Sequence, residues 1–139
     1  MKKGYVLDAN ALLDLVDAGP GAPRVREILQ ETFHERCLAM ISVLNWGEIF
    51  YHVWQERGEE KARQTMGNLS RLPLDLVPVD LPQVLKAGEI KAVHKIPYVD
   101  CIAAGLAELR QATLVTSDRD FEKLGRRISI LWIMRPQST

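Results

Sequence analysis

Nowhere in the 139-residue chain does an apolar run approach the roughly 20 residues that a membrane-spanning helix needs. The first apolar stretch, Gly4-Tyr5-Val6-Leu7, is cut by Asp8. An export signal needs about 7–15 uninterrupted apolar residues, so a cytoplasmic, unexported protein is expected. Cysteine is scarce. Cys37 and Cys101 lie far apart in apolar segments, outside any CxxC or Cys/His cluster. That spacing excludes an ordinary zinc site and leaves two buried, reduced thiols as the expectation. His34, His52 and His94 are scattered and match no catalytic arrangement. No repeat or low-complexity tract divides the chain, so one domain over residues 1–139 is expected. Net charge is also lacking, with 18 basic residues balancing 18 acidic ones. Strong long-range steering of a polyanion is therefore not expected.

What is present is an alternation of short apolar runs and amphipathic stretches. Tyr5–Leu7, Cys37–Ile41, Thr113–Thr116 and Ile128–Ile133 read as strands, and 73–79 as a short edge segment because Pro73 and Pro78 disfavour a central strand. Helices are expected from Asn10 as a cap, after Pro23, from Ser42 to Arg57, over 59–72, over 81–93, over 99–110 and over 118–124. Strands separated by helices imply a parallel sheet with helices on both faces, a three-layer α/β sandwich. In such sheets ligands bind beyond the carboxyl ends of the strands, where strand order reverses.

Acidic residues fall at that edge. Asp8 follows the first strand and Asp118 follows Thr113–Thr116. Glu48 lies mid-helix among Trp46, Ile49, Phe50 and Tyr51, and Asp100 opens the apolar segment Cys101-Ile102-Ala103-Ala104. Each has an ordinary explanation: a strand end for Asp8, a paired helix acid for Glu48, helix caps for Asp100 and Asp118. As a set they are four acids in apolar or strand-end contexts without evident basic partners. Close carboxylates repel, and a divalent cation is the simplest remedy. All the donors are oxygens, which suits Mg²⁺ or Mn²⁺ rather than zinc. Neutralising the four acids would leave eighteen basic residues against fourteen acidic ones, an excess of four.

Four segments carry a resemblance to a known family. They are Tyr5-Val6-Leu7-Asp8-Ala9-Asn10, Ser42-Val43-Leu44-Asn45-Trp46-Gly47-Glu48-Ile49, Tyr98-Val99-Asp100-Cys101-Ile102-Ala103-Ala104 and Leu114-Val115-Thr116-Ser117-Asp118-Arg119-Asp120-Phe121. The chain resembles PIN-domain nucleases, and among them the VapC-type toxins of toxin–antitoxin pairs. The resemblance implies a parallel sheet of about five strands with the first and fourth adjacent. It implies Mg²⁺- or Mn²⁺-dependent cleavage of RNA, leaving a 5′-phosphate and a 3′-hydroxyl. Asp8, Glu48, Asp100 and Asp118 match the family's acidic quartet, with Asp8, Asp100 and Asp118 as metal ligands. Asn10, Thr116 and Asp120 match supporting positions. Ala9 and Ser117 depart from the usual Ser or Thr and the usual Asn or Gly. The resemblance further implies a homodimer and a small antitoxin partner, for which the Ser42–Arg57 helix, bearing Trp46, Phe50, Tyr51 and Trp54, and the polar helix after it are the expected surface. Those aromatics are otherwise core residues. Arg119, Lys123, Arg126 and Arg127 are candidate RNA contacts, or else a solvated face. Two other readings stand beside the toxin: a housekeeping PIN nuclease in RNA maturation, and a non-catalytic RNA- or protein-binding module. A phosphatase with an aspartate nucleophile would show Asp-x-Asp where this chain has Asp8-Ala9-Asn10. A phosphoaccepting receiver domain would want paired acids at the first strand end and a late lysine, and neither is present.

Overall fold

The structure, a computed structural model, describes residues 2–134. Five strands are β1 (Lys3–Leu7), β2 (Cys37–Ser42), β3 (Asp75–Val77), β4 (Thr113–Thr116) and β5 (Ser129–Trp132). Six helices lie between them: α1 (Ala9–Val16), α2 (Ala22–Phe33), α3 (Val43–Arg57), α4 (Glu59–Leu69), α5 (Leu81–Val93) and α6 (Tyr98–Arg110). A 3₁₀ helix spans Arg119–Leu124. The strands form one parallel sheet in the order β3-β2-β1-β4-β5. The expected five-stranded α/β sandwich, with β1 beside β4, is what the chain forms.

Alternation along the strands builds the layers. Val6, Met40 and Leu114 point to one side, where α5 and α6 cover them. Leu7, Ile41 and Val115, each the next residue along, point to the other and pack with α1, α2, α3 and α4. Successive strand residues face opposite ways, so a strand covered on both faces must be apolar throughout. This is why Val6-Leu7 and Leu114-Val115 carry no alternating polar residues. The edge position of β3 fits its flanking prolines.

Local chemistry sets the ends. Ser42 caps α3, its Oγ accepting the Leu44 N–H, and Gly58 closes that helix at φ 90°. The first helix starts earlier than expected: Asp8, not Asn10, is its cap. Likewise α6 begins at Tyr98, so Asp100 sits in the first turn rather than capping the helix. Cys37 and Cys101 are buried and unpaired. The described helices include none long and apolar enough to cross a membrane.

The packing of α6 depends on Gly105. A β-carbon there would lie 3.2 Å from the backbone nitrogen of Ala87 on α5. Backbone, unlike a flexible side chain, cannot yield cheaply, and overpacking typically costs about 1–3 kcal/mol. Gly105→Val should therefore lower the urea midpoint. An unchanged midpoint would show that the two helices separate without penalty.

Candidate metal and active site

Paired strands carry the first acids together. Leu7 stands opposite Val115, and one residue on, the Asp8 N–H still donates to the Val115 carbonyl at 3.3 Å. The Asp8 side chain is buried, and each of its oxygens accepts one hydrogen bond. Oδ1 accepts the Ala11 N–H at 2.9 Å, and Oδ2 accepts the Thr116 hydroxyl. That hydroxyl oxygen in turn accepts the Asp118 N–H at 2.9 Å. One side chain at the end of β4 thus fixes both Asp8 and the segment bearing Asp118.

Asp118 Oδ1 accepts the Asp120 N–H at 2.9 Å and so caps the 3₁₀ helix. Asp100 enters from the first turn of α6, where the helix N-terminus favours a negative charge. Carboxylate oxygens of Asp100, Asp118 and Asp120 all lie within 4.8 Å of one another. Glu48 comes from α3, half-buried, with its Oε1 accepting a long 3.5 Å bond from Asn45 Nδ2.

Crowding and burial oppose ionisation. Burial, offset in part by the Thr116 and Ala11 hydrogen bonds and reinforced by Asp100 and Asp118, pushes the Asp8 carboxyl up to about 7. Asp100 is likewise raised to about 7, first by burial and then by Asp118, Glu48 and Asp120. Burial also raises Glu48 above the usual carboxylate range, against the lowering influence of Asn45 and His52. Among the described residues, Asp8, Asp100 and Asp118 form no ion pair; only Asp120 has a lysine near it, Lys123 at 4.0 Å.

The four expected acids therefore converge, and Asp120 joins them. Carboxylate oxygens of Asp100, Asp118 and Asp120 form the tightest trio, and Asp8, near enough to be influenced by Asp100 and Asp118, keeps lone pairs beyond the two hydrogen bonds it accepts. Thr116, expected to support the site, is buried and joins the Asp8 carboxylate to the Asp118 N–H. Asn10 is exposed on the first turn of α1. The basic candidates divide. Arg119 lies 5.7 Å over the Trp132 ring and 3.0 Å from Glu122, and Lys123 donates to the Lys95 carbonyl at 2.9 Å, so both flank the cluster. Arg127 instead pairs with Glu108 at 3.3 Å near the end of α6, and Arg126 adjoins it just before β5. Both belong to the opposite edge of the sheet and are removed as contacts at the crevice. Adjacency in sequence misled there, because the chain crosses the sheet between the two pairs.

The family model for the PIN domain matches residues 5–127. The chain belongs to the PIN domain family. No curated protein sequence matches it. Solved structures similar to this PIN domain include VapBC2 from Rickettsia felis bound to a promoter DNA fragment, at TM-score 0.74 and 18% identity, covering 92% of this chain and 97% of that one. The DNA-bound VapBC of Salmonella typhimurium is similar at TM-score 0.73 and 23% identity, covering 96% and 99%. VapC20 of Mycobacterium tuberculosis, described as a sarcin–ricin loop cleaving toxin, is similar at TM-score 0.69 and 16% identity, covering 87% and 95%. At these identities the likeness is one of fold.

Sequence reasoning passed over Asn45 as a site residue, although it is fully buried beside Glu48. A polar residue at i−3 from an acid on an expected helix was the available signal.

The raised carboxyls make stability depend on pH. An Asp that is neutral in this PIN domain but ionised when unfolded favours the fold below about pH 4, and that contribution is lost as pH rises through about 7. The metal-free protein should melt at a higher temperature at pH 5 than at pH 8. Mn²⁺ should raise the melting temperature at pH 8 by binding the folded state. A melting temperature that rises from pH 5 to 8 without metal would contradict the crowding described here.

Proposed function

We propose that this PIN domain is a Mg²⁺- or Mn²⁺-dependent endoribonuclease acting as the toxin of a toxin–antitoxin pair. The observation that carries the proposal is the gathering of Asp8, Glu48, Asp100, Asp118 and Asp120 at the switch point of the sheet with little compensating charge. An all-oxygen donor set with three carboxylates this close suits a hard divalent cation. Asp100, Asp118 and Asp120 would hold it, with Asp8, the other expected ligand, beside them. When bound, such a cation stabilises the charge that develops on a phosphodiester and makes water a stronger nucleophile.

The protein's own groups do the rest. Asp8, through Thr116, fixes the Asp118 segment and adds negative charge behind the trio. Glu48 would orient the attacking water and take its proton, since a carboxyl raised by burial is a better base near neutral pH. Water, giving up a proton to Glu48, adds to phosphorus, the P–O3′ bond breaks, the departing O3′ takes a proton from solvent, and a 5′-phosphate and a 3′-hydroxyl remain. Arg119 and Lys123 are the basic groups that flank the phosphodiester, and unpaired RNA, whose bases can be splayed, is the substrate class that fits an open crevice.

The likeness to VapBC assemblies supports a small antitoxin as partner. Exposed Tyr51 and Trp54 on α3, with Arg63 of α4 stacked 5.7 Å over Trp54, form the surface proposed for it. α6 could contribute to a homodimer only near its ends, through exposed Tyr98 and Leu109, because Asp100 to Ala107 are buried within the chain. Leu81 and Leu85, exposed one turn apart on α5, offer an apolar strip for a second copy. The reduced thiols and an RNA substrate fit a cytoplasmic enzyme.

Asp118→Asn removes one carboxylate and little volume. Because even supporting residues of metal sites cost about 10–100-fold when mutated, a ligand change should lower cleavage of total RNA by about a hundredfold or more. The same variant should melt at a higher temperature than wild type at pH 8 without metal, because one repelling charge is gone. EDTA should stop the wild type. Cleavage by Asp118→Asn at the wild-type rate, or cleavage undiminished in EDTA, would reject the proposal.

A further inference from the structure

α3 turns one stripe of residues into the core at intervals of four: Asn45, Ile49 and Val53. Two are apolar, as a core-facing stripe requires. The third is an amide with 0% exposure. Asparagine is a poor helix former, and a buried amide without partners is costly where an apolar group would be favourable. Asn45 does not cap the helix, because Ser42 does. Among the described residues its Oδ1 has no hydrogen-bond partner. Its sole side-chain bond runs from Nδ2 to Glu48 Oε1, one turn on. The fold itself has no evident use for this amide.

Glu48 has a competing partner. His52 lies one turn further along the same face, half-exposed and already 3.2 Å from Glu56. Turning toward His52, whose charge favours an ionised Glu48, would part the carboxylate from the amide that now holds it. The amide of Asn45 draws it the other way, into the interior.

We infer that Asn45 is a positioning residue, holding the Glu48 carboxylate in the acidic crevice against the pull of His52 and solvent. The inference rests on the nuclease reading, because it gives Asn45 a purpose only if Glu48 acts there. The amide keeps Glu48 a hydrogen-bond acceptor in a set orientation, at the expense of one poorly satisfied polar group in the core. A trade of stability for function is common at sites of this kind.

Substituting Asn45 by valine and by alanine tests it, each alone and combined with Glu48→Ala, with cleavage and melting both measured. A hydrogen bond to a charged group, lengthened as this one is, accounts for roughly a tenfold effect on rate. Asn45→Val and Asn45→Ala should each lower kcat roughly tenfold with KM little changed. In the Glu48→Ala background neither should lower it further, because a residue that acts only through another is silent once its target is gone. Asn45→Val should melt at or above the wild-type temperature and keep the Mn²⁺-induced rise in melting, showing that the metal-holding trio is intact. A wild-type kcat in Asn45→Val would overturn the assignment. So would an equal loss with and without Glu48, or a marked fall in melting temperature that accounts for lost activity. Absence of cleavage by the wild-type chain with any divalent cation would instead overturn the nuclease reading, and the role of Asn45 with it.

Discussion

Burial of carboxylates that the fold holds together governs this molecule, and their mutual repulsion adds to it. β1 and β4 lie side by side because the chain builds outward from β1 to β3 and then returns to the other flank. Their carboxyl ends bring Asp8 and the Asp118 segment together, and the Thr116 hydroxyl locks them. Helices on both faces add Glu48 and Asp100. Burial weakens solvation just where the charges meet, so Asp8 and Asp100 titrate near neutrality rather than near 4. Two apolar layers, each built on alternate residues of the same strands, supply the stability that lets the fold tolerate this arrangement. Stability and proposed activity would be linked through one feature, and a cation that relieves the repulsion would serve both.

A single helix shows how several demands share one segment. α3 presents Ile49 and Val53 to the core, Glu48 to the crevice, and Tyr51 and Trp54 to solvent. Arg63 of α4, 5.4 Å over the Phe50 ring and 5.7 Å over the Trp54 ring, ties the next helix to that outer face. A protein ligand resting on the aromatic surface would lie on the same helix as a proposed catalytic carboxylate. Blockage and distortion of the crevice would both be open to such a partner, without a separate regulatory element.

Much of this was legible before the structure. The apolar pairs Val6-Leu7 and Leu114-Val115 announce strands covered on both faces, and Asp8 and Asp118 after them mark the crevice edge. What stayed hidden depended on geometry. Asp8 caps α1 while also standing among the site acids, so its structural and functional readings were never alternatives. Asp120, expected only as a supporting position, places a carboxylate oxygen within 4.8 Å of those of Asp100 and Asp118, which the sequence did not show. Arg126 and Arg127 seemed neighbours of the site only because the chain's return across the sheet does not show in residue number. Trp54 and Tyr51 looked like core residues by type, yet α3 exposes them. Asn45 lay inside a recognised segment, but its burial could be read only from the packed helix.

Crystals of the chain grown or soaked with Mn²⁺ would test the central claim most directly, through anomalous scattering at the manganese edge. The crowded carboxylates predict a strong peak bounded by Asp100, Asp118 and Asp120, beside Asp8. Saturating Mn²⁺ with no peak among those side chains, or with its strongest peak elsewhere on the molecule, would contradict it.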